Sequence, residues 1–245
     1  MIAVGLILGA IGLADAFRPL LAPRRQWIVL AAIAVVVFVV GLVAGSPAAA
    51  VLALVCAALW VWLVPLGGRS RAGFWPAVGL AVVCALCLAL GSGEPTAGVL
   101  SSTWRLHSPV GPVSLDQSIL VLGIVVFLLE SANAVVRVAL AEEGVETPAD
   151  PDPDPGIAES PSSLKGGRLI GPIERVIVLS LTLATAYPLL AAFIAAKGIV
   201  RFPEISRDSG TGNRAEYFLI GSLVSWLQAL AGAFMIWWAF AGFGR

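Results

Sequence analysis

An all-α, polytopic transmembrane helical bundle is the fold class this sequence predicts, and three observations carry that expectation. Of 245 residues, 59% are hydrophobic and only 12% are charged, where a soluble domain carries about 25% charged residues. Mean hydropathy is +0.95. Several apolar runs exceed the roughly 18 residues that mark a membrane-crossing helix, and Pro- and Gly-containing breaks separate them. In hydrocarbon every backbone polar group must be satisfied within the chain, so such runs are expected as helices.

Seven spans are predicted: about 1–17, 26–45, 48–65, 74–91, 117–140, 171–200 and 215–241. Span one, "MIAVGLILGAIGLADAFRP", lacks the positive leader of a signal peptide and reads as a retained helix. Its Gly5 and Gly9 allow a close helix contact, and Asp15 beside Arg18 at i+3 reads as a local terminal pair. "FRPLLAPRRQ" leads into span two and "GSP" into span three, while "PLGGRSRAG" precedes span four. Cys56, Cys84 and Cys87 all lie in apolar runs and read as small packing residues. The loop 94–117 carries Trp104, Arg105 and His107, an interfacial anchor pattern. Span five follows, and then "EEGVETPADPDPDPGIAESPSS" (142–163), an acidic, Pro-rich stretch that buries too little apolar surface to fold alone. It reads as a flexible linker, with docking of a soluble partner as the sharper alternative. The chain thus divides into an N-terminal five-helix region 1–140, a linker 141–166 and a C-terminal two-helix region 167–245.

Span six is long and contains "AYPLL", whose Pro188 removes a backbone donor and predicts a kink. Span seven carries a stripe of small residues, Gly221, Ser225, Ala229 and Ala233, suited to helix–helix or partner contact. Basic residues follow spans one, three and five, which places those loops in the cytoplasm and the N-terminus outside. Seven crossings put the C-terminus in the cytoplasm, in the plasma membrane of a bacterium. They also put Lys197, Arg201, Arg207 and Arg214 outside, against the positive-inside rule. Folding span six back as a re-entrant hairpin, with six crossings, removes the conflict. Seven crossings is the expectation and the hairpin its alternative.

A formal net charge of zero gives no field for nucleic acid. One histidine rules out a His-rich metal site, and neither a nucleophile–base pair nor a phosphate-cradling Gly loop occurs. No catalytic residue, metal or cofactor is expected, and the expectation leans away from an enzyme. What remains is charge at membrane depth, which is costly and marks candidate sites. In "FLLESANAVVR", Glu130, Asn133 and Arg137 follow i, i+3, i+7, and on a straight helix Glu130 and Arg137 fall within about 20° of one face. They read as a structural ion-pair network or as a polar path through the membrane. In "AAKGIVRF", Lys197 and Arg201 lie one turn apart and repel, so a carboxylate or phosphate is expected to offset them. Snorkelling to the head groups is the plainer reading.

The C-terminal third, about residues 166–226, resembles an uncharacterised family of bacterial integral membrane proteins, a domain of unknown function. The residues that carry the resemblance are Gly167, Arg168, Ile170, Gly171, Glu174 and Arg175; Ala195, Ala196, Lys197, Arg201 and Phe202; and Glu216, Tyr217, Leu219, Ile220, Gly221, Leu223 and Ser225. Gly198 and Ser222 depart from the pattern. The resemblance implies one polar cluster of Glu174, Lys197, Arg201 and Glu216, and Arg175 is counted with them as a candidate ligand-binding residue. A straight span six holds Glu174 and Lys197 roughly 35 Å apart at 1.5 Å per residue; they meet only if span six folds back near Pro188, and Glu216, just across the turn, is the better partner for Lys197 or Arg201. The function expected first is non-enzymatic binding of an anionic lipid or ligand, or service as the membrane subunit of a larger complex. Transport or ion conduction through Glu130, Asn133 and Arg137 comes second, and intramembrane lipid modification third. Partners are membrane lipids, and a protein reached through the linker or through Gly221, Ser225 and Ala229.

Overall fold

Proline opens three of the first four long helices. Pro23 starts α2 (Pro23–Val43), Pro47 starts α3 (Pro47–Leu63), and Pro76 sits in the first turn of α4 (Trp75–Leu90). A first-turn N–H has no intrahelical acceptor, so its loss costs nothing there. The computed structural model describes residues 1–65, 70–91, 96–108, 111–143, 167–206 and 213–241. The remaining helices are α1 (Ile2–Phe17), a short α5 (Val99–Thr103), α6 (Leu115–Leu129), α7 (Ser131–Glu142), α8 (Gly167–Leu183), α9 (Tyr187–Ser206) and α10 (Asn213–Ala241). Among the described residues the regular structure is helical apart from one antiparallel hairpin, β1 (Leu106–Ser108) and β2 (Gly111–Val113), in the loop read as an anchor. The acidic linker lies outside the described residues, except for its first two positions.

Among the described residues, three helical segments are both long and apolar enough to cross a membrane: Ile2–Leu20, Arg24–Val43 and Ala215–Ala241. A fourth is obtained when α6 and α7, bent by 47° at Glu130, count as one span. That is fewer than the seven expected. Span five breaks at Glu130, whose φ of −120° and ψ of −57° leave the helical region. Span six is two helices, and α3, α4 and the apolar part of α9 are shorter than a full crossing.

The break in span six precedes Pro188. Thr185 takes a left-handed conformation, φ +54°. The Ala186 N–H donates to the Leu181 carbonyl, and the Thr185 N–H to that of Thr182. This is the bonding of a Schellman C-cap, usually built on glycine. Pro188 then occupies the first turn of α9. The proline starts a helix here and does not kink one, and α8 and α9 form a hairpin.

Close contacts fix the direction of each helix. Gly5 of α1 lies on Ile119 and Leu120 of α6, and Gly12 on Val126 and Phe127, so α1 and α6 run parallel. A Cβ on Gly123 would stand 2.2 Å from the Gly5 carbonyl oxygen. Only glycine lets these two backbones approach so closely, as span one's Gly5 foretold. At the first end of the bundle Gly91 meets the Met1 amine, Gly98 meets Ala44, and Gln117 Nε2 donates to the Ala239 carbonyl at 3.4 Å. The start of α1 and the end of α10 therefore share this end. At the second end Arg18 reaches the end of α3, and Gly73 abuts Glu142 of α7. The core lies around α1, 67% of whose apolar window is buried against 11% for α2.

Candidate functional site

Two buried polar networks occupy the second end. In the first, Asp15 and Arg18 of the α1 region form an ion pair at 2.7 Å, both more than nine-tenths buried. Trp60 Nε1 donates to the other Asp15 oxygen at 2.9 Å. The Arg18 guanidinium continues to the carbonyls of Val61 and Val64, each at 3.2 Å. These lie in the last turn of α3 and its flank, where helix carbonyls lack intrahelical donors. A cation there also suits the negative end of the helix dipole.

The second network centres on Arg175 of α8, which is 1% exposed. Its Nε donates to the Leu128 carbonyl at 2.7 Å, one guanidinium nitrogen to Ser225 Oγ at 3.1 Å, and the other to Asn133 Oδ1 at 2.7 Å. The bend at Glu130 frees the last carbonyls of α6, and Arg175 satisfies one of them. One side chain thus holds α6, α7 and α10 together. Next to it, Lys197 of α9 forms an ion pair with Glu174 Oε2 of α8. The Lys197 ammonium also lies 5.6 Å from the Phe218 ring centroid and 5.3 Å from that of Trp226, both on α10. The carboxylate and two aromatic faces cage it.

The hairpin explains the meeting of Glu174 and Lys197. Two residues 23 apart stand at one level once the helix folds back. Glu174, Arg175 and Lys197 are brought together, whereas Glu216, expected to partner Lys197, is exposed on α10. Arg201 lies in α9, with its side chain outside the described residues. Asn133 joins the site, and Glu130 sits at the break. Arg137 is exposed, because the 47° bend ends the straight helix on which the shared face was reckoned. The small-residue stripe is used internally: Ser225, Ala229 and Ala233 are buried against neighbouring helices of this chain, and Ser225 serves Arg175.

Sequence reasoning missed Ser225 as a ligand of Arg175, the aromatic cage of Phe218 and Trp226, and the Trp60 bond to Asp15. The i, i+4 spacing of Phe218 and Ser222, continued by Trp226, was the one available signal for the cage. Among the described residues no group of three His, Cys, Asp or Glu side chains could hold a metal. A cleft of about 500 Å³ lies between α4 and α10, with Gln228 as its one polar lining residue. No family model, curated protein or solved structure matches the chain.

Proposed function

We propose that the chain is an integral membrane protein that acts by binding lipid, without catalysis. The observation that carries this is the inverted distribution of polarity. Large apolar side chains, among them Trp27, Ile28, Val35, Leu122, Leu223, Leu227 and Trp237, are more than half exposed on α2, α6 and α10. Asp15, Arg18 and Arg175 are turned inward and bonded within the chain. A water-soluble fold would do the reverse. The Lys197–Arg201 repulsion that called for an anion is offset on the Lys197 side by Glu174, so lipid recognition rests on apolar surface more than on this cation.

With α8 and α9 as a hairpin, the start of α1 and the end of α10 lie on one side. The arginines after spans one and three then share the other side with the base of the hairpin, and the positive-inside conflict disappears. The proposed topology has both of those helix ends outside the bacterial plasma membrane. In a cysteine-free background, Ser102→Cys and Ala241→Cys should react with an impermeant maleimide on intact cells, and Arg24→Cys should not. Protection of 241 with labelling of 102 would overturn the topology. Release of the protein by alkaline carbonate would overturn the membrane assignment itself.

A second reading, ion or proton conduction, is favoured by one observation: a broken helix carries Glu130 at the break, beside a buried arginine. Glu130→Gln should then abolish flux in proteoliposomes while the yield of folded protein is unchanged.

A further inference from the structure

The cleft between α4 and α10 is walled by Ala77, Ala81 and Ala85 on one side and by Leu227, Ala231 and Met235 on the other. Ile124, Phe127 and Leu128 of α6 form its floor. Its volume falls in the range of small-molecule sites, yet it lacks the convergent polar groups that position a polar ligand. The Gln228 amide nitrogen donates to the Val224 carbonyl at 3.1 Å and the Ala132 carbonyl at 3.5 Å. The Gln228 amide nitrogen is thus taken within the chain and offers an anion no donor.

The shape narrows the occupant. The cleft starts at Phe74 and Val135, at the second end of the bundle, and reaches Ala85 and Met235. From Phe74 to Ala85 along α4 is about 16 Å at 1.5 Å per residue, close to half of a hydrocarbon core of about 30 Å. Its rims are open: Val82 is 51% exposed and Leu227 is 67% exposed. The cleft is thus continuous with the apolar outer surface of α4 and α10 and is one leaflet deep. Arg71, three residues before Phe74 and stacked 5.1 Å over Trp62, stands at the level where a head group would lie.

We propose that this cleft holds one acyl chain of a phospholipid from the leaflet at the second end, with the chain lying between α4 and α10 on the floor of α6. The proposal rests on the membrane reading above. The two fail separately in one experiment on the full chain in nanodiscs doped with phosphatidylcholine bearing a diazirine on its acyl chain. After irradiation, adducts should concentrate on residues 77–85 and 227–235. Ala81→Phe combined with Ala231→Phe, which fills the cleft with side chains, should abolish those adducts and leave labelling of the exposed α2 face unchanged. Adducts spread over α2, α4 and α10 in proportion to exposure would overturn the cleft, as would labelling that survives in the filled variant. If that variant does not fold, the wild-type distribution decides alone. A chain that carbonate extracts from membranes overturns the membrane reading and the cleft with it.

Discussion

The Asp15–Arg18–Trp60 network and the Arg175 network stand at the same end of the bundle and solve the same problem by different means. Each uses a buried arginine to satisfy carbonyls at the end of another helix. In the first, the counter-charge comes from the same segment three residues away and bonds the guanidinium directly. In the second, Arg175 is bonded by neutral oxygens from three elements, while the neighbouring carboxylate, Glu174, is taken by Lys197. The first network therefore forms wherever α1 and α3 pack. The second exists only when α6, α7, α8 and α10 have all assembled. The difference teaches that similar buried cations can report local or long-range order, depending on where their partners lie in the chain.

The largest test of this contrast is Arg175→Ala. It strands the Leu128 carbonyl, Asn133 and Ser225 at once, and removal of one member of a buried charged network costs about 3–5 kcal/mol. Thermal unfolding in detergent should show that loss, with proteolysis of the C-terminal region rising before that of α1–α3. Uniform loss across both regions would erase the contrast. Asp15→Ala comes next, with an expected cost of about 3 kcal/mol, because it leaves a buried guanidinium without its carboxylate. Here the α1–α3 contact should loosen first, as read by hydrogen exchange at Val61–Val64. A smaller effect of opposite sign is expected for Thr185→Gly. A non-glycine residue in the left-handed region costs about 1–2 kcal/mol, so glycine should raise the unfolding midpoint modestly. A lowered midpoint would show that the hairpin turn is held otherwise. The smallest effect belongs to the Glu174–Lys197 pair, each partner about one-sixth exposed. A double-mutant cycle with Glu174→Gln and Lys197→Met should give a coupling of about 1 kcal/mol or less. A coupling near that of a buried pair would make it an equal partner of Arg175.

The Asp15–Arg18 pair was legible because its residues are i, i+3 on one helix, a spacing that survives any tertiary arrangement. The close contact of span one was legible for the same reason, since Gly5 advertises a bare backbone wherever the helix packs. The meeting of Glu174 and Lys197 was legible only as the consequence of a folded-back span six. Its geometry hinged on whether span six turned, and the turn is built on Thr185, a residue that gives no left-handed signal. Pro188, read as a kink, was in fact the start signal of the following helix. The face shared by Glu130 and Arg137 failed because periodicity presumes a continuous helix, and nothing in "FLLESANAVVR" marks a break as a glycine or proline would.

Composition and run length determined by themselves that this chain is helical, apolar and sparing of charge, because those properties follow from how each residue meets its solvent. Which charges distant in sequence meet, where the helices break and how the spans fold back were decided by the tertiary structure alone. Those outcomes depend on partners 42 to 50 residues away in sequence, as the Arg175 bonds to Asn133, Leu128 and Ser225 show. A buried arginine takes whichever acceptors the packed helices bring to it, and no local pattern names them in advance.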